Sequence, residues 1–94
     1  MQKWEYHTTF VWANAQEQQA RDFLNQRWPT WKAPKFAPQA MIPALNSYGE
    51  AGWELIHMEP VYIGTNEDIA HGGDTRLYSN VYFCVFKRAK PDLP

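Results

Sequence analysis

The sequence predicts an α+β fold: a three-stranded antiparallel-type sheet of order 1-3-2, two helices on one face, and the chain order β-α-α-β-β. Three observations carry this. Residues 3–12, KWEYHTTFVW, alternate aromatic and polar positions with the period of a strand. Two helix-forming stretches, at 14–28 and about 38–51, are divided by the proline-rich segment PTWKAPKFAP, which can be neither regular helix nor central strand. Near the C-terminus, LYSNVYFCVFKR is apolar on both faces from Val81 to Phe86, as a central strand covered on both sides would be.

In the first strand Trp4, Tyr6, Phe10 and Trp12 share one face with Thr8, while Lys3, Glu5, His7 and Thr9 share the other. That is the pattern of a half-buried strand. Asn14 can cap the first helix, and Glu17 stands three residues later, as a capping box requires. Ala20, Phe23, Leu24 and Trp28 then fall on one helical face, and Pro29 stops the helix. The segment after it carries Trp31 and Phe36 and is expected to lie against the body of the protein. Pro43 disturbs the second helix, so its regular part starts near Ile42 or its first turn is distorted. Met41, Ala44, Leu45 and Tyr48 make its apolar face.

The stretch NSYGEAGWELIHM, residues 46–58, reads as a helix end feeding a strand. Gly52 is placed to take the left-handed conformation of a helix terminus. Gly49 is expected to allow close approach of helix and sheet, at a cost of about 1 kcal/mol in helix propensity. WELIHMEPVYI continues as the second strand, with an edge or bend at Pro60. GTNEDIAHGGDT is a polar connection in which Gly72-Gly73 resembles a hairpin turn. A central third strand pairs antiparallel with both others, and the right-handed crossover rule places the helices on one face. The result is a split βαβ unit, half of a ferredoxin-like arrangement, with one sheet face left uncovered.

The 94 residues allow one domain, 1–94, and no second core. A hydrophobic content of 45% with five Trp, five Tyr and five Phe supports a packed interior and leaves rings to spare for a partner. A net charge of −1 supplies no general attraction to nucleic acid or anionic lipid. The single cysteine, Cys84, excludes an internal disulfide and fits a reducing compartment. No apolar run approaches the roughly 20 residues of a membrane span, and the N-terminus lacks a signal-peptide layout, so a soluble cytoplasmic protein is expected.

KWEY at 3–6, LNSYGEAGWELI at 45–56 and FKR at 86–88 form the pattern W-E-Y … L-N-x-x-G-x-x-G-W-E-L … F-K-R. This pattern resembles the small prokaryotic domain-of-unknown-function family number 4177. Residues 13–40 form a longer insertion than the connection typical of that family. The resemblance implies the fold and supplies no reaction, ligand or catalytic residue.

Among candidate chemistries, Glu5 with His7 and His57 with Glu59 could offer metal ligands from one sheet. The intervening strand holds the pairs about 10 Å apart, so no metal and no cofactor is expected. Cys84 sits inside an apolar strand, where cysteine behaves as an inert hydrophobe. Ser47 and Ser79 have no neighbouring His in sequence. HGGD at 71–74 could cradle a phosphate through backbone N–H groups, but a tight turn is the ordinary reading. Glu67, Asp68 and Asp74 lack calcium-loop spacing. In WPTWKAPKF, Trp28, Trp31 and Phe36 interleave with Lys32 and Lys35, a mixture able to stack bases and pair phosphates. The acidic balance makes a lid on the core or a protein contact the better expectation.

Together these readings predict a non-enzymatic interaction module that forms a homodimer through its open sheet face, with no catalytic residue assigned. The alternative is a small-ligand binder or enzyme. Its aromatic pocket would lie between residues 28–36 and the sheet, with Trp28, Trp31 and Phe36 as contacts and His7 or His57 as the polar group.

Overall fold

A computed structural model describes residues 1–61, 69–71 and 77–91. Its elements are β1 (Trp4–Trp12), α1 (Gln18–Arg27), a 3₁₀ turn (Pro38–Met41), α2 (Ile42–Glu50), β2 (Glu54–Val61), β3 (Ile69–His71), β4 (Leu77–Ser79) and β5 (Val81–Ala89). The main sheet is antiparallel with order β1-β5-β2, which is the expected 1-3-2 arrangement. The expected third strand is split at Asn80, where the chain bends between β4 and β5. β4 pairs with β3, which falls in the stretch read as a polar connection. The Gly72-Gly73 turn, the phosphate-cradle reading of HGGD and the acidic Glu67, Asp68 and Asp74 lie outside the described residues.

Directly opposed residues of antiparallel strands point to the same side, so the register assigns the faces. Val11 opposes Tyr82, Thr9 opposes Cys84, His7 opposes Phe86 and Glu5 opposes Arg88. Along β1 and β5 this face is covered by α2 and the 3₁₀ turn, whereas Leu55 and Met58 of β2 share it and stay exposed. Val11, Ala13, Met41, Tyr82, Cys84 and Phe86 form a buried cluster there, with Ala44, Leu45, Tyr48 and Trp53 packed against it. The half of β1 that turns inward is therefore the polar half. His7 makes this possible by packing as a ring, its centroid 5.4 Å from Tyr48, 5.6 Å from Trp53 and 6.3 Å from Phe86.

A second, smaller cluster of Ala15, Ala20, Leu24, Ala37 and Ala40 joins α1 to the 3₁₀ turn. It is built beyond the end of β1. Ala15 N donates to Lys35 O at 2.8 Å and Ala37 N to Ala13 O at 3.0 Å, so residues 13–15 and 35–37 continue as a short antiparallel ladder. The proline-rich segment thus lies down as expected, through a buried Phe36. Trp31 remains exposed.

Among the local expectations, the cap of α1 and the role of Gly49 change, while the start of regular helix at Ile42 is met. The cap of α1 is Glu17, whose Oε2 accepts from Ala20 N at 3.2 Å; Asn14 Oδ1 instead accepts from Gln16 N at 2.9 Å, closing a turn before the helix. The second helical stretch begins as a 3₁₀ turn and becomes regular at Ile42, so Pro43 sits in the first turn of α2, where its missing N–H costs nothing. Gly49 is exposed, and a Cβ built there meets nothing within 4 Å. No close approach requires it, because α2 faces the sheet with Ala44, Leu45 and Tyr48. Gly52 does fulfil its reading: at φ 92° it terminates α2. Gly52 N donates to Gly49 O and Trp53 N to Tyr48 O, both at 3.0 Å, the paired bonds of a Schellman motif.

Candidate protein-interaction surface

The outer face of the sheet carries no helix. On β1 it presents Trp4, Tyr6, Thr8, Phe10 and Trp12, and on β5 the partly exposed Phe83, Val85 and Lys87; Val81 shares this side of β5 but is buried. The four β1 rings remain 43%, 64%, 56% and 60% exposed in chain order, a large aromatic surface to leave in water. Phe10 and Phe83 meet across the strands tilted by 59°, their centroids 5.8 Å apart, and Lys87 Nζ lies 4.4 Å from the centroid of Trp4. β2 borders this surface with Glu54, His57 and Glu59, and His57 Nε2 lies 3.4 Å from Glu59 Oε2. The face is thus apolar along β1 and β5 and polar along β2.

On the covered face one residue from each of the dipeptides Trp4-Glu5, Trp53-Glu54 and Lys87-Arg88 converges: Glu5, Trp53 and Arg88. Arg88 Nε donates to Glu5 Oε1 at 2.5 Å, Nη1 donates to Ala51 O at 3.1 Å, and Cζ sits 4.2 Å from the Trp53 ring centroid. One guanidinium thereby joins the first strand, the end of α2 and the last strand. The alternation of strands sends the companion residues, Trp4, Lys87 and Glu54, to the outer face. Three distant pieces of the sequence pattern therefore meet in space. The recurrence of Trp-Glu before two different strands, answered by Lys-Arg on a third, was the signal in the sequence that could have revealed this.

The sequence-derived site residues do not gather. His7 is half-buried beneath α2, and His57 is exposed on the opposite face with Glu59. Glu5 follows His7 and Glu59 follows His57, so the two His–carboxylate pairs are separated by the sheet itself, and the described residues contain no cluster of three or more potential metal ligands. Phe36 is 4% exposed, with Lys35 Nζ 5.1 Å from its ring, so it has no free face for a base. Trp28 and Trp31 meet edge to face at 5.9 Å and line a shallow hollow with Gln39. They face neither His7 nor His57.

Cys84 is fully buried, and that burial pushes its thiol above its ordinary pKa, which suits an inert core residue. Ser79 is equally buried. Its Oγ lies 2.7 Å from Val61 O and 2.9 Å from Val81 O and accepts from Val81 N at 3.3 Å, which ties β4 to the end of β2. Ser47 is exposed and returns its hydroxyl to Pro43 O at 3.2 Å. A hollow of about 290 Å³ lies beside β1, lined among others by Phe10, Trp12, Asn14, Glu17 and Tyr48. No helix among the described residues is long and apolar enough to cross a membrane. Comparison with protein-family models, with curated proteins and with solved structures finds no match.

Proposed function

We propose that this protein is a non-enzymatic interaction module that self-associates as a homodimer through the outer face of its sheet. The observation that carries the reading is the row of four half-exposed rings on β1, continued by Phe83 and Val85 on β5. Burying such a surface against a second copy releases ordered water and stabilises the pair by the same effect that builds a core. The polar strip of Glu54, His57 and Glu59 would form the wet rim of that contact. A cytoplasmic setting accords with a single cysteine held inside the core. The likeness to family 4177 is supported by the convergence of its motif residues at Arg88, which gives those positions a structural purpose. Sedimentation equilibrium tests the reading: a dimer is expected in the micromolar range, and a monomer at high micromolar concentration overturns it.

The alternative ligand-binding reading draws on the hollow beside β1, not on residues 28–36. A thermal-shift screen with divalent metals and common metabolites separates the two, since a dimer interface gives no response to either.

A further inference from the structure

We infer that two copies join edge to edge, β1 beside β1 of a second copy, antiparallel and centred on Thr8. Only the second copy as partner rests on the self-association reading; the join itself lies along the β1 edge, with the outer-face rings side by side across the seam instead of stacked face to face.

The first ground is the free edge. Lys90 N donates to Lys3 O at 2.9 Å and Ala13 N to Asn80 O at 2.8 Å, so the odd residues of β1 turn their backbone groups toward β5. By alternation, the N–H and C=O groups of Trp4, Tyr6, Thr8, Phe10 and Trp12 point away from the sheet. Among the described residues none of these groups has a hydrogen-bond partner. The edge is nine residues long, without proline or bulge. Proteins normally guard such an edge. This one guards its other edge: β2 has a register irregularity between Leu55 and His57, Pro60 near its end, and the charged Glu54 and Glu59.

The second ground is self-complementarity. Antiparallel pairing about Thr8 sets Trp4 opposite Trp12, Tyr6 opposite Phe10 and Thr8 opposite Thr8. Each outward-pointing backbone pair then meets its counterpart, all nine residues are used, and each ring stands beside another ring on the outer face. No like charges oppose one another: Glu5 meets Val11 and His7 meets Thr9.

The third ground is charge at the ends of the seam. The same register places the second copy's Lys3 beside Ala13, next to Asn14 of the hollow that Glu17 also lines; the Glu17 carboxylate caps α1 through Oε2 and offers the nearby negative charge. Two-fold symmetry repeats that pairing at the other end. The dimer is then a continuous six-stranded sheet of order β2-β5-β1-β1-β5-β2.

Site-resolved amide exchange on the unmodified protein, run below and above the dimerisation concentration, tests the geometry. Edge joining slows the amides of Tyr6, Thr8 and Phe10 by about tenfold or more on association, because each gains a hydrogen bond. Thr8→Pro supplies a second arm. It deletes an N–H that points away from β5, so it is expected to be folded and monomeric. A dimer in which those amides exchange as fast as in the monomer, or a folded Thr8→Pro that still dimerises, overturns edge joining and leaves face-to-face stacking standing. If Thr8→Pro does not fold, the exchange measurement alone decides. A monomer at every concentration overturns both this inference and the self-association reading.

Discussion

Arg88 reaches across the covered face from β5 to Glu5 on β1, Nε to Oε1 at 2.5 Å, while its guanidinium lies over Trp53 and Nη1 donates to the carbonyl of Ala51, the residue that caps α2. The pair is partly solvated, so the ion pair alone contributes less than about 1 kcal/mol. The stack on Trp53 and the bond to Ala51 O act on the same group. Arg88→Ala is expected to cost about 2 kcal/mol in urea denaturation. Arg88→Lys keeps the charge and loses the fork, and should fall between the two. A cost for alanine within about 0.5 kcal/mol would show that the clasp contributes nothing.

The two glycines of GEAGWEL separate cleanly. Gly49→Ala removes unfolded-state entropy at an open helical site and is expected to stabilise by about 0.5–1 kcal/mol. Gly52→Ala forces a side chain to φ 92° and is expected to destabilise by about 1–2 kcal/mol. Thermal melts of the two variants should move in opposite directions.

Cys84 makes stability depend on pH on the alkaline side. Its thiol pKa is raised in the folded state by burial, so the unfolded chain loses that proton first. The contribution is full below the unfolded thiol pKa, about 8.5, and is lost as pH rises through the folded value. Urea midpoints should fall over that range, and Cys84→Ala should remove the part of the fall that belongs to the thiol. A thiol reagent should label Cys84 in urea and leave it untouched in the folded protein.

The three aromatic residues of the 28–36 segment are expected to differ sharply. Phe36→Ala empties a buried site and should cost about 3 kcal/mol. Trp31→Ala removes a ring that is 38% exposed and rests edge to face on Trp28, and should cost about 1 kcal/mol. Equal effects in denaturation would contradict the burial pattern.

On the outer face, Phe10→Lys and Trp12→Lys are expected to weaken self-association by about thirtyfold or more, as loss of a central anchor does. Neither touches the buried cluster under α2, so monomer stability should change by no more than about 0.5 kcal/mol. Unchanged sedimentation of both variants would place the contact elsewhere.

The sheet order and the helix end at Gly52 were legible because each rests on local rules: period two, apolar faces, and a residue that tolerates positive φ. The cap of α1 was misplaced because Asn14 is a favoured capping residue and Glu17 is not; Asn14 Oδ1 is taken up by Gln16 N in a turn, and the helix starts after Glu17 instead. The sense of β1 was not legible at all. Alternation shows that Trp4, Tyr6, Phe10 and Trp12 share a face, but no local term says that Glu5 and His7 go inside. That follows from Arg88 and Trp53, which lie more than forty residues away in the chain and supply their partners. His7 and His57 lie on opposite sides for the same reason, since a shared sheet does not imply a shared side.

The irregularity and proline in β2 bear on stoichiometry. A subunit with two receptive margins would keep adding copies and grow into a fibre. Among the described residues the β2 margin is irregular and charged, so joining through β1 as inferred would use up the receptive one, and the assembly would close at two.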